Sequence, residues 1–301
     1  MKTKIAITVI TIIAFVGLMT LALLDVKVDL ENSWDPPQYT EEGTIQTGMS
    51  AYALFSEALD NYYSAEDVIF VRSLDFTAGS GVLILGTQQT IEITKFSGNS
   101  VFHQVTKQGY LAGASNEGYR FYFDGTNGYE YKEDSETRFP ELGVEDWDGL
   151  SYGPYQDEEM TSQQKADDLR QFSSYVITED TLSASHDDNV YLLDGKYYIS
   201  ITINCMDIEL NGVQAAVEES IMSGLGATAE PGSFLWREDT VIFLEITKIG
   251  DDYFFTARNM KENYSARQSG LRVPCTQSIS GSYAYDQSVV AITDDEKMNL
   301  A

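Results

Sequence analysis

The run at residues 197–205 constrains this chain more than any other feature. Tyr197, Ile199, Ile201, Ile203 and Cys205 alternate with Tyr198, Ser200, Thr202 and Asn204. Successive side chains of a strand point to opposite faces, so a period of two gathers the five apolar groups on one side. A sheet with one buried face and one wet face accommodates that pattern, and such sheets are antiparallel. Asp194-Gly195 stands just before the run and supplies the positive-φ backbone of a two-residue hairpin, with residues 190–193 as the returning strand.

The same signals recur along the chain. Tyr119-Arg120-Phe121-Tyr122-Phe123 and Tyr129-Glu130-Tyr131 flank Asp124-Gly125-Thr126-Asn127-Gly128, a second hairpin rich in residues that suit pleated, half-buried surfaces. Val68, Phe70, Leu74 and Phe76 alternate with polar positions, and Arg72 is the exception. Gly79-Ser80-Gly81 reads as a hairpin turn. Further strands are expected at 82–85 and 90–96, with Gly86 interrupting, then at 101–110, near Tyr175, and at 241–249, 253–260, 271–278 and 282–292. Tyr52, Phe55, Leu59 and Tyr62 recur on one face of a helix over 50–64, with Gly48 and Ser50 as start signals. Thr161 and Gln164 form a capping-box signature before a short polar helix reaching about residue 173. Asn211 caps a third helix carrying Val213, Ala216, Val217 and Ile221, stopped by Gly224. Residues 133–160 read as an acidic loop. This order defines an α+β fold: a curved antiparallel sheet covered by a few helices.

Ahead of this domain lies a different kind of segment. Lys2 and Lys4 precede residues 5–24, a run without charges that is long enough, as a helix, to cross a hydrocarbon core of about 30 Å. Cleavable signals have shorter apolar stretches, and Thr20-Leu21-Ala22 is a mediocre small-x-small site, so an uncleaved single-pass anchor is favoured over a cleaved signal. The two lysines orient the remainder outside the cell. The chain therefore divides into an N-terminal anchor or signal at 1–26, an acidic stalk at 27–47, an extracytoplasmic, mainly β domain at 48–293, and a disordered acidic tail at 294–301. Trp34 in the stalk reads either as an interfacial anchor or as an incidental linker residue.

Charge excludes several functions. The formal net charge is −28, from 47 acids against 19 lysines and arginines. Nucleic-acid binding and a polybasic grip on anionic lipid both need clustered cations that this chain lacks. With Lys2 and Lys4 assigned to membrane orientation, the exported part is more acidic still. Cys205 and Cys275, the only two cysteines, fit either one disulfide in an oxidising compartment or two buried free thiols. Pro274 beside Cys275 points to a strand end or an edge.

No catalytic constellation stands out, so the chain does not read as an enzyme and no cofactor is implied. His103 lies in an expected strand and His186 in an acidic turn, with no nucleophile elbow and no zinc spacing near either. An envelope hydrolase would have to draw on one of these two histidines. Ser162-Gln163-Gln164-Lys165 matches the S-x-x-K motif, but its companion motifs are missing. Asp146-Trp147-Asp148-Gly149 imitates part of a calcium loop whose first and twelfth positions, Val144 and Tyr155, cannot serve.

The element order over residues 48–293, together with the aromatic hairpin at 119–131, resembles the LolA-like half-barrel family. That family comprises the bacterial lipoprotein carrier and related lipid-binding exported proteins. The resemblance implies a strongly curved antiparallel sheet wrapped around helices, with an apolar cavity for acyl chains. The chain departs from the family's lipoprotein members in lacking a lipobox cysteine, and no functional residue carries over by motif. The expected function is a membrane-tethered binding module for an apolar or lipid ligand, its cavity lined by Phe121, Phe123, Tyr197, Ile199, Ile201 and Ile203. The same six residues also fit a filled core. An envelope sensor or scaffold acting through protein contacts is the alternative.

Overall fold

The structure is a computed structural model. It describes residues 42–80, 83–111, 114–134, 153–173, 175, 177–180, 188–205, 234–268, 271–294 and 296–297. The anchor at 1–26, Trp34, the calcium-like loop at 146–149, His186 and the helix at 211–224 lie outside the described residues. Among the described residues no helix is long and apolar enough to cross a membrane.

One curved, open antiparallel sheet organises the chain. Its strands are β1 (Thr44–Ile45), β2 (Asp67–Ser80), β3 (Leu83–Ser97), β4 (Ser100–Leu111), β5 (Ala114–Phe123), β6 (Gly128–Asp134), β7 (Gly153–Pro154), β8 (Tyr191–Leu193), β9 (Lys196–Ile203), β10 (Leu235–Trp236), β11 (Thr240–Ile249), β12 (Asp252–Gln268) and β13 (Leu271–Ala284). The order across the sheet is β1-β8-β9-β11-β12-β13-β2-β3-β4-β5-β6-β7, with β10 added to β12. Sequential strands thus lie side by side almost throughout. Two pairings are distant in sequence, β1 with β8 and β2 with β13, and the second makes residues from both ends of the domain share the middle of the sheet.

Local chemistry explains the hairpins. Asp194 (φ 51°) and Gly195 (φ 79°) are both left-handed, as a two-residue turn requires. Asp124 Oδ1 accepts from the backbone N–H groups of Thr126 and Asn127 (2.8 and 2.7 Å), and Gly125 takes φ 95°. The alternation at 197–205 is realised in β9, where Ile199, Ile201 and Ile203 are buried and the residues between them are half-exposed.

Several strand limits differ from expectation. Gly86 does not interrupt β3; the strand runs through it with a bulge opposite Ala78 and Gly79. β13 is also continuous, passing Gly281 to reach Ala284, and residues 287–290 form a helical turn in place of the expected strand to 292. Tyr175 lies in no strand. Pro274 sits where β13 has only β12 beside it, because pairing with β2 starts at Cys275, so the proline occupies a local edge. The last stalk residues join the fold: Thr44–Ile45 pairs with β8, and Gln46 N–H donates to the Val190 carbonyl (2.8 Å). The tail is tied down as well. Buried Lys95 pairs with Glu296 (2.9 Å) and donates to the Ala291 carbonyl.

Among the described residues the helices are α1 (Ala51–Ser64), α2 (Ser162–Leu169) and the single turn α3 (Gln287–Val290). Ser50 caps α1, and Thr161 with Gln164 forms the complete capping box of α2. The polar helix stops at Leu169, earlier than its composition implies. Helix α1 lays Leu54, Phe55, Ala58 and Tyr62 on the concave face against β12. Residues 170–173 and Tyr175 then form a strap across the same face. Phe172 drives it inward and stacks on Phe255 (4.4 Å), with Phe55, Tyr62 and Tyr283 around it. Each such aromatic pair contributes about 0.5–1.5 kcal/mol beyond its buried area. Arg170 fastens the strap by donating to the Tyr62 and Ala65 carbonyls (2.6 Å each) at the C-terminal end of α1.

Candidate functional site

A cavity of about 420 Å³ opens between the concave face and the strap. Register decides what lines it. On the concave face Glu92 of β3, Arg72 of β2, Gly281 of β13 and Arg258 of β12 fall in one row across four strands. Two residues along comes a mostly apolar row of Thr90, Leu74, Ile279 and Met260. Two further along come Gln88, Phe76, Gln277 and Glu262. The cavity floor thus presents charge, then hydrocarbon, then amide and carboxyl groups.

The charged row is unevenly compensated. Arg72 Nε donates to Glu92 Oε2 (3.0 Å), and Nη2 approaches the same oxygen. Burial pushes the Glu92 carboxyl up, but Arg72, His103 and Lys107 outweigh it and hold the group below its ordinary value, so it is ionised. Arg258 is 5% exposed. Its Nη1 donates to the Phe172 carbonyl, and its guanidinium lies over the Phe70 and Phe172 rings (5.4 and 5.1 Å). Among the described residues it has no carboxylate partner, and its Nε–H has no acceptor. Gly281 lets this arrangement exist: a Cβ there would come within 2.5 Å of the Phe70 ring, which stacks on Tyr283 at 4.5 Å.

Glu262, at the far row, is 2% exposed. Oε1 accepts from the Tyr175 hydroxyl (2.6 Å), while Oε2 has no partner among the described residues. Burial raises its pKa against the lowering effects of Tyr175, Arg72 and Arg258. The Tyr264 hydroxyl nearby is likewise buried and without a partner. Such orphans are uncommon in folded proteins, and each costs about 1–3 kcal/mol until something hydrogen-bonds it.

His103 lines this cavity on β4, beside Thr94, whose hydroxyl is 2.9 Å from Nδ1. Burial lowers its pKa to about 4 despite the attraction of Glu92, so the ring is neutral at pH 7. A neutral imidazole held by Thr94 is a hydrogen-bonding wall, not a poised general base. Ser162 lies at the start of α2, packed over Gly128, and Lys165 one turn on; neither lines the cavity. Among the described residues no three His, Cys, Asp or Glu side chains gather as a metal site would require.

The six residues expected to line the cavity do not. Phe121, Phe123, Ile199, Ile201 and Ile203 are buried in filled core, and Tyr197 packs edge-on against Tyr253 (5.3 Å). The reason is position along the strands. These residues lie on β5 and β9, within the hydrophobic core cluster, whereas the cavity is lined from β2, β3, β4, β12 and β13. Cys205 and Cys275 are free, buried thiols: Cys205 Sγ contacts Thr240 Oγ1 (3.3 Å) and Cys275 Sγ contacts the Val273 carbonyl (3.7 Å).

Sequence reasoning recorded the break at Arg72 but did not treat it as a site. An inward arginine in an otherwise apolar series is the signal that was available. Arg258 and Glu262 were hidden by a bulge. β12 carries one extra residue at Thr256, so the inward series passes from Phe255 to Arg258 and alternation counted from Phe255 puts both residues outside.

No family model matches the chain, and no curated protein does. Among solved structures it aligns with an N-terminal dehydratase of the difficidin assembly line (10% identity, TM-score 0.13, covering 82% of this chain and 87% of that one). It also aligns with the dehydratase domain of the CurJ module of curacin polyketide synthase (9% identity, TM-score 0.12, covering 82% and 88%). TM-scores of this size carry no argument about fold or function.

Proposed function

We propose that this protein is a membrane-tethered, extracytoplasmic binding module that takes a small amphiphile into the cavity beneath the strap. Residues 5–24 serve as the tether, with Lys2 and Lys4 on the cytoplasmic side. The curved sheet around α1 and the strap is read as the half-barrel of lipid-binding exported proteins. The observation that carries the reading is the pair Arg258 and Glu262, two deeply buried residues that line one cavity and each hold a polar atom with no partner among the described residues. The cavity volume falls near the lower end of the range of about 300–1,000 Å³ for small-molecule sites, which suits one chain and not a two-chain lipid.

The test is mass spectrometry of an organic extract of the purified full chain, together with titration of a fluorescent acyl probe. A co-purifying single-chain amphiphile that the probe displaces supports the reading. A chain that carries nothing and has no affinity for the probe overturns it and leaves the sensor or scaffold reading, which crosslinking in the native envelope then examines.

A further inference from the structure

We infer that the ligand of this cavity has two polar ends: an anionic group held by Arg258 and a neutral hydrogen-bonding group held by Glu262, separated by an apolar middle over Leu74, Ile279 and Met260. This rests on the binding reading above and specifies its ligand class.

A buried cation without a counter-charge is unfavourable, and removing it from water is offset only by a close anion with good hydrogen bonds. Arg72 has that anion in Glu92; Arg258, two strands away in the same row, does not have one among the described residues. Its Nε–H, beside the nitrogen that holds the Phe172 carbonyl, is buried and has no acceptor among the described residues, and the residue as a whole lines the cavity. A carboxylate or phosphate monoester entering there supplies both the missing charge and the missing acceptor. Between the two arginines in that row Gly281 carries no side chain, and the Phe70 ring lies over it.

At the other end Glu262 lines the cavity, with Oε1 engaged by Tyr175 and Oε2 buried without a partner among the described residues. A carboxyl accepts from a hydroxyl in either protonation state, and burial favours its neutral form, which can also donate. Arg258 and Glu262 are four residues apart on the same face of β12, which sets their backbones about 13 Å apart. Met260 lies between them, and Ile279 and Leu74 continue that row. An extended ten-carbon chain is of comparable length, so 10-hydroxydecanoate is a fitting probe.

The experiment is equilibrium dialysis of the full chain in amphipol with labelled 10-hydroxydecanoate, decanoate and decanol. Arg258→Met and Glu262→Leu are run in the same amphipol, so that partition into the belt cancels. The expected order is 10-hydroxydecanoate, then decanoate, then decanol. Arg258→Met weakens both acids at least about tenfold and leaves decanol unchanged, while Arg258→Lys retains most of the affinity. Glu262→Leu removes the advantage of 10-hydroxydecanoate over decanoate, and Glu262→Gln restores it. Equal binding of decanoate and decanol overturns the anion site while leaving the binding module intact. Equal binding of decanoate and 10-hydroxydecanoate overturns the Glu262 end. Absence of binding by all three overturns the cavity reading itself. The comparison of three ligands on the unaltered chain decides the matter even where a variant fails to fold.

Discussion

His103 should make this protein acid-sensitive in a measurable window. Its folded pKa, about 4, lies below the ordinary 6.5 because the ring is buried. Below pH 6.5 the unfolded chain binds a proton that the folded chain refuses. The neutral ring therefore contributes stability that is complete above the unfolded pKa and is lost as pH falls toward 4. Integrating between pH 7 and pH 5 gives a loss of about 2 kcal/mol from this group alone. Replacing it by His103→Gln keeps a neutral partner for Thr94 and removes the titration. The assay is urea unfolding of both full chains in one detergent at pH 7 and pH 5. At pH 7 the variant is the weaker, having lost the ring packing against Tyr119 at 6.1 Å. At pH 5 the wild-type advantage should have shrunk by about 2 kcal/mol. Comparing the pair cancels the carboxylates, including Glu262, whose raised pKa acts in the opposite sense and costs stability as pH rises. A wild-type advantage that changes by less than about 0.5 kcal/mol between the two pH values would falsify the buried, neutral state of His103.

Three further outcomes follow from named contacts. Gly281→Ala forces the Phe70 ring off Tyr283 and should cost about 1–3 kcal/mol by overpacking, seen as a lower urea midpoint, whereas Ser282→Ala next to it should be nearly silent. Tyr175→Phe leaves Glu262 with no partner on either oxygen and should destabilise by about 1–3 kcal/mol, with the loss growing as pH rises, because the tyrosine hydroxyl is what favours the ionised carboxylate. Cys205 and Cys275 should resist alkylation in the folded chain and yield two thiols on unfolding without reductant, and dithiothreitol should leave the melting temperature unchanged.

Much of the sheet was legible because its signals are local. Asp194-Gly195 and the Asp124–Gly128 turn are set by backbone preferences within a few residues, and the alternation of β9 by its own sequence. The same holds for the caps Ser50 and Thr161. Where the reading erred, neighbours overrode local preference. Gly86 looked like a strand break and residues 279–281 fell between two expected strands, yet pairing on both sides carries β3 and β13 straight through. Tyr175 looked like a strand residue and instead ends a strap whose place is set by Phe255, the carbonyls of Tyr62 and Ala65, and Glu262, all distant in sequence.

The sequence by itself determined an acidic chain with an apolar N-terminal run and an antiparallel sheet with one buried face, because hydropathy period and turn chemistry need only near neighbours. Only the tertiary structure decided which inward residues are core and which face the cavity. That choice depends on the registers of four strands drawn from both ends of the domain and on one extra residue in β12 that reverses its phase. Arg72 already stood out in the sequence as a break in the pattern; Arg258 and Glu262 became visible only once the bulge at Thr256 had turned them inward.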